Sequence, residues 1–259
     1  MANYIIHSGW WCDGTSVHPG ATKHSDPRIR SQDWFEVWYE FVRSYTHPEK
    51  VIVVDSASPV IPDLEGKDLE FVSMRRNFLH GMKCDTKWGG WTRSFFLGAC
   101  YAMLNEVDYA VFIEQDCLCV GEGIIERAIE NMGDKRITFS VGGPNRSDQS
   151  LTILRTDYVL PFMQKFMAIP QDDRDMDTED KFMHIVEEDD SFVPLPFGYG
   201  RNRPIDFGDR HFSAQQWRRK ELLQLFDLTD FQSLKLVLGF EKSPALKLRR
   251  FVKRATRLR

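Results

Sequence analysis

The chain reads as an α/β protein: an open, mostly parallel sheet of the Rossmann-like kind flanked by helices, followed by a C-terminal helical extension. Three observations predict this. Val51-Ile52-Val53-Val54 and Tyr109-Ala110-Val111-Phe112-Ile113 are continuous apolar runs of strand length, as expected of strands covered on both faces. Segments with apolar residues at helical spacing alternate with such runs, which implies crossover connections and parallel pairing. Finally, 259 residues with 42% hydrophobic and 28% charged content suffice for one sizeable core.

The elements follow in order. Tyr4-Ile5-Ile6-His7-Ser8 forms a first strand, and a loop rich in Gly, Asp and His runs to about residue 30. Trp34, Val37, Trp38, Phe41, Val42 and Tyr45 lie one helical turn apart and predict an amphipathic helix over 31–46. The second strand, 51–54, ends at Asp55-Ser56, and a further strand lies near 69–73. Residues 91–105 are apolar almost all round and suit a buried helix. The strand at 109–113 runs directly into Glu114-Gln115-Asp116. A helix over 122–132, strands at 137–141 and 150–154, and helices at 156–168 and 178–187 complete the pattern. The stretch 197–212 is rich in Gly, Arg and His and is expected to be a surface loop. No repeat or linker divides the chain, so 1–225 is expected to be one domain and 226–259 a basic extension.

Charge and cysteines narrow the function classes. The formal charge of −4 hides an asymmetry: residues 242–259 carry eight Lys/Arg and no acid, and the remainder has 26 basic and 38 acidic groups. An acidic body is not what a nucleic-acid binder presents. In the basic segment, Ala245, Leu248, Phe251, Val252, Ala255 and Leu258 recur at roughly helical spacing, so it suits either peripheral contact with an anionic membrane or packing on the acidic body. Five scattered cysteines without a signal peptide read as reduced thiols, and hence a cytoplasmic setting, and no apolar run is long enough to span a bilayer. Phosphate-binding, dinucleotide-binding, hydrolase-elbow and zincin motifs are all missing.

Ligands of open α/β sheets collect at the carboxyl ends of the strands. There the sequence delivers His7/Ser8, Asp55/Ser56 and Glu114/Asp116. Two acids at i and i+2 beyond a buried strand can converge on one Mg²⁺ or Mn²⁺, or can simply begin a polar turn. Asp172 to Asp180 is an acidic run whose spacing fails as an EF-hand, because Thr178 and His184 stand where Gly and Glu are required. Trp10, Trp11, Trp88 and Trp91 lie in or beside loops, where aromatic faces either stack on sugars and bases or pack into the core.

In this order of parts, Phe112-Ile113-Glu114-Gln115-Asp116 resembles the DxD-type motif of GT-A-fold glycosyltransferases, with Glu114 standing for the first Asp. The resemblance is nearest to the broad family 2-like group and spans roughly residues 3–215. It implies that Asp116, helped by Glu114 and His211, holds Mn²⁺ or Mg²⁺ on a donor diphosphate. It also implies that Ser8, Asp55, Asn77, Trp91, Arg93 and Glu114 lie along the donor, with Arg201 and Arg203 on its diphosphate. Glu179-Asp180 stands where inverting members carry the base that deprotonates the acceptor hydroxyl, and Asp180 is the preferred candidate. The implied reaction is transfer of a hexosyl or deoxyhexosyl group from a nucleotide-diphosphate sugar to a saccharide or lipid-linked acceptor, as in polysaccharide biosynthesis. Two alternatives stand beside it: a sugar-1-phosphate nucleotidyltransferase, for which the first loop lacks a basic group, and a carbohydrate-binding protein with a degenerate site.

Overall fold

The computed structural model describes residues 2–14, 25–79, 83–142, 147–188 and 190–241. In chain order these form β1 (Tyr4–Trp10), α1 (Trp34–Tyr45), β2 (Lys50–Asp55), β3 (Glu70–Ser73), α2 (Gly90–Leu104), β4 (Tyr109–Ile113) and β5 (Leu118–Val120). Then come α3 (Ile124–Met132), β6 (Ile137–Val141), β7 (Ser147–Arg155), α4 (Val159–Ala168), α5 (Thr178–Glu187) and β8 (Phe192–Pro194). The last elements are β9 (Tyr199–Gly200), β10 (Phe212–Ala214), α6 (Arg219–Leu228) and α7 (Leu234–Val237).

The apolar runs become the centre of a seven-stranded sheet of order β3-β2-β1-β4-β7-β6-β8. β7 is antiparallel to its neighbours β4 and β6, and every other pairing in this sheet is parallel. Val51, Val53, Val111 and Ile113 face a layer containing α1, α3 and α6, whereas Ile52, Ala110 and Phe112 face α2, α4 and α5. Both faces are therefore covered, which is why these strands need no polar side. The resulting α/β architecture is the one the sequence predicts. A small sheet, β5-β10-β9, stands beyond the end of β4.

Two expectations change. α2 is buried along one side only: Leu97 and Leu104 are exposed, the latter by 75%. Its inner face carries Gly98, Ala99 and Ala102, and it lies so close to β1 that a Cβ on Gly98 would stand 2.3 Å from His7 Nδ1. Small residues thus set the approach, and the outer leucines are left in solvent. The boundary at 225/226 falls inside α6, and Phe226, Leu234 and Leu238 belong to the same core as α1, with Phe41 against Phe226 and Phe231. Residues 226–241 are therefore part of this unit. Segment 242–259, and with it the expected membrane contact, lies outside the described residues. Among the described residues, no helix is long and apolar enough to cross a membrane.

His7 has a measurable consequence. It is 1% exposed, wedged between Phe95, Phe112 and Gly98, and its Nδ1 has no hydrogen-bond partner. Burial alone pulls its pKa down to about 3. Between that value and the ordinary ~6.5 the unfolded chain takes up a proton that the folded chain refuses, so stability rises with pH across this window. The expected slope reaches about 1.4 kcal/mol per pH unit. Urea titrations from pH 4 to 7 should show a visibly flatter profile in His7→Asn; equal slopes would refute the assignment.

Candidate active site at the carboxyl end of β4

The chain leaves β4 through a tight turn. Glu114 N–H donates to the Ser150 carbonyl at 2.8 Å and Cys117 N–H donates to the Glu114 carbonyl at 2.9 Å. Within that turn Gln115 is committed to structure. Its Oε1 accepts from Trp11 N–H at 2.9 Å, its Nε2 donates to the Trp11 carbonyl, and its own carbonyl accepts Trp34 Nε1–H at 2.6 Å. Held in this way, Gln115 separates two acids. Asp116 is buried, and Glu114 is half-buried and accepts Trp91 Nε1–H at 2.6 Å. Trp91 in turn stacks on Phe95.

Because β7 is antiparallel, its first residues arrive at the same end of the sheet. Ser147, Asp148, Gln149 and Ser150 are all buried there. Asp148 accepts four hydrogen bonds, from Ser150 N–H, Ser150 Oγ, Gln215 Nε2 and Arg201 N–H. A Cβ on Gly200, whose φ is +46°, would stand 2.0 Å from Asp148 Oδ2, so only glycine lets the backbone come this close. Gln149 Nε2 donates to Thr178 Oγ1 and Ser147 Oγ to the Glu179 carbonyl, which docks the first turn of α5 at the same place.

Arg201 is delivered into the middle of this group. Its Nη2 donates to Glu179 Oε1 at 3.1 Å, while its Nε is buried with no acceptor. Glu114, Glu179, Asp148 and Asp116 all hold its guanidinium charged against the opposing effect of burial. Seen from Glu114 the balance is negative: burial first, then Asp116, Asp148 and Glu179, raise its pKa to about 8 against the lowering effect of Arg201.

Other residues proposed from sequence have different surroundings. Arg203 is committed to the fold: Nε bonds Glu221 at 2.9 Å, Nη1 the Gly200 and Asn202 carbonyls, and Nη2 the Gln215 carbonyl. It fastens the 200–215 loop and has little left for a diphosphate. His211 does not join Asp116. The β5–β10 ladder pairs Phe212 with Val120 and Ala214 with Leu118, so His211 lies level with Gly121. β5, Leu118–Val120, lies between that level and the turn that holds Asp116, and the His211 Nε2 meets the Glu122 carbonyl at 2.9 Å. Of the Glu179-Asp180 pair, Asp180 is exposed, whereas Glu179 faces Arg201.

Toward β2, Asp55 is fully buried and binds Ser58 N–H and the Ser73 hydroxyl, knotting the loop after the strand. Asn77 Oδ1 accepts from Leu79 N–H and Ser56 Oγ in the neighbouring loop. Arg93 donates to the Trp88 carbonyl and lies 4.0 Å over the Phe78 ring. β1 runs two residues further than expected, so Ser8 is buried inside it, and Trp10 packs edge-on to Phe35 in the core. The five cysteines are free thiols.

Among the described residues, no three or more His, Cys, Asp or Glu are grouped as a cage for a metal ion. Glu114 and Asp116, two positions apart in the turn after β4, are the oxygen donors to be considered. An oxygen-only pair in a locally acidic environment fits Mg²⁺ or Mn²⁺, ions that take one or two carboxylates and complete their shell with phosphate and water. Such a cation would offset the neighbouring carboxylate charge that, after burial, helps to raise the pKa of Glu114.

No protein-family model and no curated protein sequence matches the chain. Solved structures do. One is a cytidylyltransferase from Leptospira borgpetersenii, 13% identical, covering 92% of this chain and 93% of its own, with a TM-score of 0.47. Another is a mannosyltransferase from Pyrobaculum calidifontis in complex with GDP-Man and Mn²⁺, 10% identical, covering 87% of this chain and 60% of its own, with a TM-score of 0.49. A third is the bifunctional IspDF from Campylobacter jejuni, 13% identical, covering 80% and 52%, with a TM-score of 0.45. At such identities these likenesses concern the shape of the fold alone.

Proposed function

We propose that the chain is a cation-dependent glycosyltransferase that moves a sugar from a nucleotide-diphosphate donor to an acceptor hydroxyl. The observation that carries this reading is Arg201: a half-buried guanidinium with one side-chain hydrogen bond, ringed by four acids, at the carboxyl end of the central strand. A buried N–H without a partner is costly and calls for a ligand, and a guanidinium fork suits phosphate oxygens.

Glu114 and Asp116 would hold Mn²⁺ or Mg²⁺. When bound, the cation neutralises the diphosphate and makes it a better leaving group. Arg201 binds the diphosphate oxygens through its uncommitted N–H groups. Glu179, in the first turn of α5, accepts the proton of the acceptor hydroxyl. The freed oxygen attacks the anomeric carbon, the bond from that carbon to the diphosphate oxygen breaks, and the nucleoside diphosphate departs with inversion. Trp91 fixes Glu114 by its N–H, and the loop knotted by Asp55 and Asn77, with Arg93 beside it, is where this reading puts the nucleoside.

Incubation with UDP-, GDP-, CMP- and dTDP-sugars, with and without Mn²⁺, tests the proposal by NMR of the released sugar. The expected result is slow release from one donor class, only with the cation, and with an inverted anomer. Pyrophosphate release from a nucleoside triphosphate and a sugar-1-phosphate would replace this reading with nucleotidyl transfer. No reaction in either format would favour a binding protein.

A further inference from the structure

The two arginines of the 199–216 segment stand two residues apart and are used in opposite ways. Arg203 gives its N–H groups to Glu221 and three backbone carbonyls. The guanidinium of Arg201 makes one hydrogen bond, to Glu179 Oε1 at 3.1 Å, and its buried Nε has none. Its backbone is pinned, since Asp148 Oδ2 accepts Arg201 N–H at 2.9 Å and Gly200 admits no Cβ against that carboxylate. Only the side chain can change partner. Glu179 is likewise pinned, through its carbonyl to Ser147 Oγ and through its neighbour Thr178 to Gln149.

We infer that the Arg201–Glu179 ion pair is an internal latch: Glu179 holds the phosphate-binding arginine until a diphosphate takes its place, and the same exchange frees the carboxylate for the acceptor. This rests on the function proposed above and adds an order to it, donor before acceptor. While Glu179 Oε1 accepts the Arg201 N–H at 3.1 Å, that oxygen is occupied and does not receive an acceptor hydroxyl. Transfer of Arg201 to the diphosphate vacates it only when a donor is present. With one guanidinium for two anions, the latch and the ligand compete.

Competition has a signature that simple charge removal lacks. Glu179→Gln should tighten binding of the nucleoside diphosphate plus Mn²⁺ by about fivefold, since an anchored rival for Arg201 is gone. Loss of a nearby negative charge would also tighten binding, so the test is a double-mutant cycle by titration calorimetry. In Arg201→Gln, where no latch exists, Glu179→Gln should tighten binding by less than twofold. Asp180→Asn, the same charge change on the exposed neighbour, should leave affinity unaltered. Thermal melts confirm that each variant folds; if Arg201→Gln does not, Arg201→Met, which also lacks the charge, serves in the cycle. Equal tightening in both backgrounds, or none in the wild-type background, overturns the latch while leaving nucleotide binding intact. Failure of wild type to bind any nucleoside diphosphate with Mn²⁺ or Mg²⁺ removes the functional reading and the latch together.

Discussion

Lys181→Met is expected to destabilise the protein by about 3–5 kcal/mol, the usual consequence of stripping one partner from a buried ion pair. Lys181 is 0% exposed, and its Nζ donates to Asp173 Oδ1 at 2.7 Å while lying over the Phe166 ring. Asp173, also buried, uses its other oxygen to accept Gly89 N–H and the Thr92 hydroxyl, both at 2.7 Å. The carboxylate thus caps the start of α2 and ties it to α5, the two helices that bring Trp91 and Glu179 to the site. With methionine in place of the ammonium, a carboxylate is left in the interior without a counter-charge. Adding Asp173→Asn should recover most of the loss, because the amide oxygen still accepts both α2 donors and carries no charge. Urea denaturation of the two singles and the double checks this. A loss below about 1 kcal/mol in Lys181→Met would mean the pair is solvated and this account of the α2–α5 joint is wrong.

Asp116→Ala should lower cation-dependent transfer by about 10³-fold, the scale seen when a preorganised charge contact is removed from an active site. Steady-state kinetics over a Mn²⁺ series would show the loss as a raised cation requirement. Unchanged turnover would remove Asp116, and with it the carboxylate pair, from the chemistry.

Much of the fold was legible in the sequence because burial on two faces leaves an unambiguous trace. Val51–Val54 and Tyr109–Ile113 have no polar side to offer, and both become strands buried on two faces, β2 parallel to both neighbours and β4 parallel to β1 but antiparallel to β7. α5 falls on the predicted 178–187. β5, β8, β9 and β10 are two or three residues long, too short to express a period, and α7 with the last residues of α6 sits in a region read as an extension.

The candidate site was legible only in part. Glu114-Gln115-Asp116 could be found from its position after β4. Asp148 lay in a stretch that reads as a polar loop, and only the antiparallel course of β7 brings it to the same end of the sheet as Glu114. Glu179 and Asp180 are equivalent as letters, yet one helical step turns one toward Arg201 and the other to solvent. Arg201 and Arg203 differ only by what folds against them. Asp173 and Lys181 belong to a charge-rich run that looks solvated, and nothing local reveals that Thr92, Gly89 and Phe166 will enclose them.

The central claim is that this acidic site becomes a diphosphate site when a divalent cation joins Arg201. Titration calorimetry of the wild-type protein with nucleoside diphosphates, run with Mn²⁺ and then with the cation chelated, addresses it most directly. Binding of one nucleotide class is expected in the presence of Mn²⁺, with its loss on chelation and its loss in Asp116→Ala. Binding that persists with the cation removed, or survives Asp116→Ala unchanged, would contradict it.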